Sequence, residues 1–170
     1  MVRNLSIAPL VRAACASEIE PLAKIWYDGW QDAHAKILPA ELARYRTLQS
    51  FEQRLFAALS SVRVAGEINA PIGFCMVRGD ELDQLYVSAH GRGSGVGAAL
   101  LADGEARMSE SGVATAWLAC AIGNERAAAF YQKQGWSRTG TMLHQLDTQD
   151  GPFPLTMWRF EKDLRSALPA

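Results

Sequence analysis

A glycine-rich stretch, Arg92-Gly93-Ser94-Gly95-Val96-Gly97, constrains this chain more than any other feature. It stands between the apolar run Leu82-Asp83-Gln84-Leu85-Tyr86-Val87 and a helical pattern that begins at Ala98. A strand that enters a glycine loop and leaves it as a helix is an anion trap. Glycines remove the Cβ atoms that hold a ligand away from the main chain, and the first helical turn carries unpaired N–H groups with partial positive charge. A pyrophosphate fits that description. Spacing narrows the choice: a nucleoside-triphosphatase loop requires Lys-Ser or Lys-Thr after its last glycine, and Ala98-Ala99 stand there instead. A dinucleotide fingerprint can be forced onto Gly93-x-Gly95-x-x-Ala98. However, Val87 lies five residues before Arg92, so the first glycine does not follow directly on the strand.

From Val87 to Leu101 the chain reads as Val, a short loop, Arg-Gly-x-Gly-x-Gly, two small residues and Leu-Leu. That order resembles motif A of the GCN5-related N-acetyltransferases (GNAT superfamily). A second pattern, Asn124-x-x-Ala127-x-x-x-Tyr131-x-x-x-Gly135-Trp136, is similar to motif B of the same family and follows at the usual distance. Together the two cover residues 82 to 136. The resemblance implies an acetyltransferase of α/β (α+β) class with a mixed central sheet, in which the two central parallel strands splay apart to admit acetyl-coenzyme A.

Composition agrees with such a domain and limits its partners. At 170 residues with 49% hydrophobic side chains, the chain suits one domain spanning 1–170 with a sizeable core. Its formal net charge is -1, and no block of Lys or Arg is long enough to track a phosphate backbone, so nucleic acid is not an expected partner. The three cysteines, Cys15, Cys75 and Cys120, are odd in number and lack metal-ligand spacing, which points to a reducing cytoplasm and no metal. Leu5 to Val11 loosely resembles a leader, but Pro9 and Arg12 interrupt its apolar region. No segment is long and apolar enough to span a membrane. A homodimer is compatible with the resemblance.

Periodicity places the elements. Leu5 to Ala14 reads as a strand, and Ser17-x-x-Glu20 as a capping box before a helix whose apolar positions Leu22, Ile25, Trp26 and Trp30 recur at helical spacing. Pro39 ends that helix or begins a loop. From Thr47 a second helix carries Leu48, Phe51, Leu55 and Leu59 on one side. A hairpin follows, Val62 to Ile68 and Ile72 to Val77, with Asn69-Ala70-Pro71 as its turn. Gly79-Asp80 turns the chain into the strand that reaches the glycine loop. Val96 to Glu110 is helical, with Ser111-Gly112 as its stop. The almost wholly apolar run Val113 to Ile122 suits a central strand paired in parallel with the one ending at Val87. Asn124 caps a short helix that ends at Gly135, and Trp136 to Leu146 and Leu155 to Phe160 close the sheet. The predicted order is β-α-α-β-β-β-α-β-α-β-β.

Chemistry can then be assigned to residues. The amides of Arg92, Gly93, Ser94, Gly95, Val96, Gly97 and Ala98 are placed to hold a pyrophosphate at a helix N-terminus, and the Arg92 side chain either adds a charge or is solvated. The resemblance gives Val87 a main-chain role toward the pantetheine arm and the thioester carbonyl. Asn124 and Tyr131 are seven residues apart and share a helix face. Asn124 serves as an N-cap, a contact to the arm, or both. Tyr131 resembles the family's general acid for the departing thiolate, with a packing role as its alternative.

Glu81 and Asp83, on one strand face, are the candidates for relaying the amine's proton. Trp30 and His34 on the first helix, and Asp147 and Asp150 in the late loop, are candidate walls of the acceptor cleft. The preferred reading is direct transfer of an acetyl group to an amine of a small molecule or peptide, with Cys120 a buried apolar cysteine rather than an acyl carrier. Its competitors are a non-catalytic coenzyme A-binding or regulatory domain of the same fold and a nicotinamide-binding domain. The latter wants an acidic residue where Ile122-Gly123-Asn124 stand.

Overall fold

The computed structural model describes residues 9–165. β1 (Val11–Ala13) leads through a 3-10 turn into α1 (Ile19–His34), which is followed by a short α2 (Ala40–Ala43) and by α3 (Leu48–Ala57). Then come β2 (Val62–Glu67), β3 (Ala70–Arg78) and β4 (Glu81–Val87), and after the glycine loop α4 (Val96–Glu110). β5 (Thr115–Cys120), α5 (Glu125–Lys133), β6 (Ser137–Leu146) and β7 (Phe153–Asp163) complete the chain.

The strands form one seven-stranded sheet in the order β1-β2-β3-β4-β5-β7-β6. Every neighbouring pair is antiparallel except β4 and β5, which run parallel and meet at a single position, Glu81 opposite Trp117. There the Trp117 amide donates to the Asp80 carbonyl at 3.0 Å, and the Trp117 indole N–H donates to the Asp80 carboxylate at 2.9 Å. Beyond that point the two strands pair no further. The sheet is therefore split along the second half of β4, as the resemblance implied.

Strand alternation sends side chains into a core on each face. On one face Val62, Val64, Phe74 and Met76 pack with Leu22, Trp26, Phe51 and Leu55 of α1 and α3. On the other Ala65, Cys75, Leu82 and Leu118 pack with Val96, Leu100, Leu101 and Met108 of α4. Gly29 shows how closely α1 lies on β4, because a Cβ there would stand 2.6 Å from the ring of Tyr86.

Several expectations need correction. Of the strand anticipated from Leu5 to Ala14, residues 5–8 lie outside the described residues, and only Val11–Ala13 pair with β2. The capping carboxylate is Glu18 rather than Glu20. It is fully buried, accepts from the Cys15 amide (2.9 Å) and the Asn69 amide (3.1 Å), and takes two hydrogen bonds from Arg12 (2.9 and 2.7 Å). Arg12, on β1 six residues before Glu18, supplies the charged partner that a buried carboxylate requires. The hairpin turns at Ile68-Asn69, with Asn69 in the left-handed region, while Pro71 joins β3 opposite Gly66. Asn tolerates that backbone conformation better than other side-chain-bearing residues. The short α2 after Pro39 was not anticipated, and Leu48 is exposed rather than packed on the sheet.

Candidate active site

Where β4 and β5 part, a cleft of about 570 Å³ opens, running from the glycine loop to the ends of β6 and α1. Its cofactor end is built locally. Gly93 and Gly95 adopt φ values of 76° and 85°, and Cβ atoms placed on either meet nothing within 4 Å. Gly95 is the N-cap of α4, has no side chain to cap it, and its carbonyl receives the first helical bond from the Ala99 amide at 3.0 Å. The amides of Val96, Gly97 and Ala98 thus lack intrahelical acceptors, and an anion completes them. α5 differs: there the Asn124 side chain accepts from the Ala127 amide at 3.3 Å, so Asn124 is a working N-cap that also lines the cleft.

Val87 ends β4 beside the split. The Ser88 amide donates to the Ile72 carbonyl at 2.8 Å, so alternation along the strand turns the Val87 N–H and C=O away from β3 and toward the split. Gly93, Gly95, Gly97, Ala98 and Arg92 border the cleft. By contrast Val96 buries its side chain in the core, and the Ser94 hydroxyl donates back to the Gly91 carbonyl, which leaves these two only their main chain to offer. Arg92 is exposed. It pairs with Asp32 of α1 at 3.0 Å, and the same carboxylate oxygen takes Arg126 of α5 at 2.9 Å.

Tyr131 lines the cleft from α5 and is set among Phe130, Trp136 and Phe160, with ring centroids 5.4 to 6.3 Å away. Among the described residues its hydroxyl makes no hydrogen bond, and burial pushes the phenol's pKa up, so it stays protonated at neutral pH. Cys120 is buried nearby. Its thiol is pushed up to about 12 by burial, which leaves almost no thiolate.

The acceptor end is assembled from distant segments. Glu81 is 6% exposed and contacts the ring of His144 on β6, with Nε2 to Oε1 at 3.1 Å. That carboxylate holds the His144 pKa above its ordinary value. Asp83 shares the strand face as expected, and burial, followed by the charge of Glu81, raises its pKa. Arg78 gathers three carboxylates: Glu81 at 3.4 Å, Asp83 at 3.5 Å and Asp147 at 3.4 Å. Trp30, His34 and Asp147 line the cleft. Asp150 does not; it is exposed and accepts from the Tyr45 hydroxyl at 2.9 Å. His34 keeps a buried Nδ1 without a partner among the described residues, and burial brings its pKa down to about 4, so it is neutral.

Sequence reasoning missed His144, Arg78, Arg46 and Arg54, all of which line this end. The chain's small histidine count, three in all, was the one available signal for His144. Among the described residues, no three His, Cys, Asp or Glu converge as a metal site.

The sheet thus splits beside a helix whose first amides lack acceptors, and the cleft follows that split. The model of the Acetyltransferase (GNAT) family matches residues 19–136, and the chain belongs to that family. It is an acetyl-coenzyme A-dependent N-acetyltransferase. The peptidyl-lysine N-acetyltransferase YjaB of Escherichia coli K12 is 31% identical over 148 residues, covering 85% of this chain and 92% of that one. In fold the chain is similar to a GCN5-related N-acetyltransferase from Rhodopseudomonas palustris, with a TM-score of 0.71 and 20% identity over 92% of this chain and 96% of that chain. It is also similar to the PaiA N-acetyltransferase of Thermoplasma acidophilum in complex with coenzyme A, with a TM-score of 0.64 and 18% identity over 92% of this chain and 99% of that one.

Proposed function

We propose that the acetyl group passes directly to a primary amine held at the Glu81–His144 end of the cleft, without an acyl-enzyme stage. The observation that carries this reading is the buried Glu81 in contact with His144 where β4 and β5 last pair before the split. Acetyl-coenzyme A supplies the acetyl group as a thioester, which the Val87 main chain and the α4 amides are placed to hold. The acceptor nitrogen forms the new C–N bond as the C–S bond breaks. Glu81, with His144 behind it, takes the proton that the amine loses, and Tyr131 gives a proton to the leaving sulfur and recovers one from solvent. Cys120 supports direct transfer through its inertness: a thiol with pKa about 12 is a poor nucleophile at neutral pH. Free cysteines suit the cytoplasm as the place of action. YjaB is named for peptidyl-lysine, and a lysine side chain is one amine that fits this reading.

The test is a pair of pH–rate profiles. Glu81→Gln is expected to lower the rate by about 10²-fold below the acceptor amine's pKa and to recover as pH rises, because the amine then arrives deprotonated. Asp83→Asn is expected to keep the wild-type profile. Equal, pH-independent losses in both variants would remove Glu81 from the relay.

A further inference from the structure

Among the described residues, two guanidinium groups at the acceptor end, those of Arg46 and Arg54, form no ion pair. Arg46, which follows α2, is 5% exposed, and its only hydrogen bond among the described residues runs from Nη1 to the Asp147 main-chain carbonyl at 2.8 Å. Arg54 of α3 lies half-buried with its guanidinium over the Trp26 ring, 4.5 Å from the centroid, and makes no hydrogen bond there. Both line the cleft. Among the described residues neither stands within 4.0 Å of a carboxylate, since Glu81, Asp83 and Asp147 are drawn to Arg78 instead.

A buried and a half-buried cation lining one cleft are costly unless something compensates them. Burial brings Arg46 down to about 10, and the charge of Arg54 adds to that effect. Asp83 and Asp147 act on Arg54 only from beyond ion-pair distance. His34, near enough to feel Arg46, adds a buried Nδ1 that has no partner among the described residues. One wall of the cleft thus offers guanidinium groups with no ion-pair partner among the described residues, while Glu81 and His144 offer the place for an amine.

We infer that the acceptor is a small zwitterionic amine, an amino acid or close analogue, whose carboxylate docks on Arg46 and Arg54 while its amino group faces Glu81 and His144. Guanidinium forks match a carboxylate's two oxygens, and such charge-assisted bonds form only when the ligand brings the anion. Trp26 holds one fork in place by stacking. This assignment rests on the N-acetyl transfer reading and narrows its substrate.

The experiment uses matched acceptors. Thiol release from acetyl-coenzyme A is measured with L-amino acids and with their carboxamides, and with a lysine peptide whose C-terminus is free or amidated. For the accepted side chain, the free acid is expected to show kcat/KM about tenfold or more above its amide, mostly through KM, as losing a charge-assisted bond implies. Arg54→Gln and Arg46→Lys should each shrink that ratio toward one, and Arg54, being less buried, is the safer change for folding. Binding of the same acid and amide pairs to the coenzyme A complex is measured calorimetrically as well, so that the inference does not depend on turnover. Preferential binding of acids without thiol release would uphold the anion site and refute the transfer reading. Equal binding and turnover of acid and amide, or preference for the amidated lysine peptide over every free acid, would overturn the inference.

Discussion

Tyr131 shows how a single atom can be tested apart from its packing. Its ring is held by three aromatic neighbours, and its hydroxyl is the one polar group it brings to the cleft. Burial raises its pKa, which keeps the proton on oxygen but also weakens it as an acid. Model thiols have pKa values near 8.5 and leave fairly well unaided, so the benefit belongs at the low end of the ~10²- to 10⁴-fold typical of general acid catalysis. Tyr131→Phe is expected to lower kcat by about two orders of magnitude and to change coenzyme A affinity by less than about tenfold. Measuring both constants on one folded variant decides: full activity makes Tyr131 a packing residue, and a loss confined to affinity makes it a pantetheine contact.

Gly95 carries the matching test at the phosphate end. Its left-handed φ of 85° strains any side chain, yet open space surrounds the Cβ position, and Asp tolerates this region and caps helices well. Gly95→Asp should therefore fold while placing a negative charge at the mouth of the helix. Coenzyme A affinity is expected to fall about tenfold or more. Unchanged affinity by calorimetry in the folded variant would move the phosphates elsewhere.

Among the elements, the junction of β1, the turn into α1 and the β2–β3 hairpin depends on one carboxylate. Glu18 accepts from Arg12 and Cys15 nearby and from Asn69, 51 positions away, so β1, the turn and the hairpin share a single buried anion. The Arg12 guanidinium and, after it, the two amides hold its pKa below the usual carboxylate range. A depressed folded-state pKa contributes stability above the unfolded value, near 4.3, and that contribution disappears as pH falls through the folded value. Glu18→Gln should destabilise the protein at neutral pH by about 3 kcal/mol, the low end for breaking a buried pair, because Arg12 keeps some contact with water. Its stability should also fall less steeply than wild type below about pH 4.5. Denaturant unfolding across that range checks both; an unchanged acid limb would mean that other carboxylates set it.

For the whole molecule, the strand order explains what was readable and what was not. Motif A and motif B each lie within a few turns of chain, and their work is local: φ values that only glycine adopts freely, an uncapped first turn, and a helix face that presents Tyr131 seven residues after Asn124. Helix α4 accordingly spans Val96–Glu110 as its periodicity and stop signal predict. Such features are fixed by covalent geometry and neighbouring hydrogen bonds, and the sequence by itself determined them, together with the family and the acetyl donor.

The acceptor end obeys no such rule. Glu81 of β4 meets His144 of the edge strand β6 although β5 and β7 stand between them in the sheet order. Arg46 and Arg54 reach the same wall from the segment after α2 and from α3, and Arg78 draws the nearby carboxylates away from them. Asp150, two residues after a loop turn begins, faces solvent while Asp147 faces the cleft, and no spacing distinguishes them. Pairing across sixty-three positions of chain depends on which surfaces the two cores bury against each other, a sum over many weak contacts that no short pattern records. Tertiary structure alone decided which charges are paired and which wait for a ligand, because desolvation and partner distance arise only once the chain has closed around them.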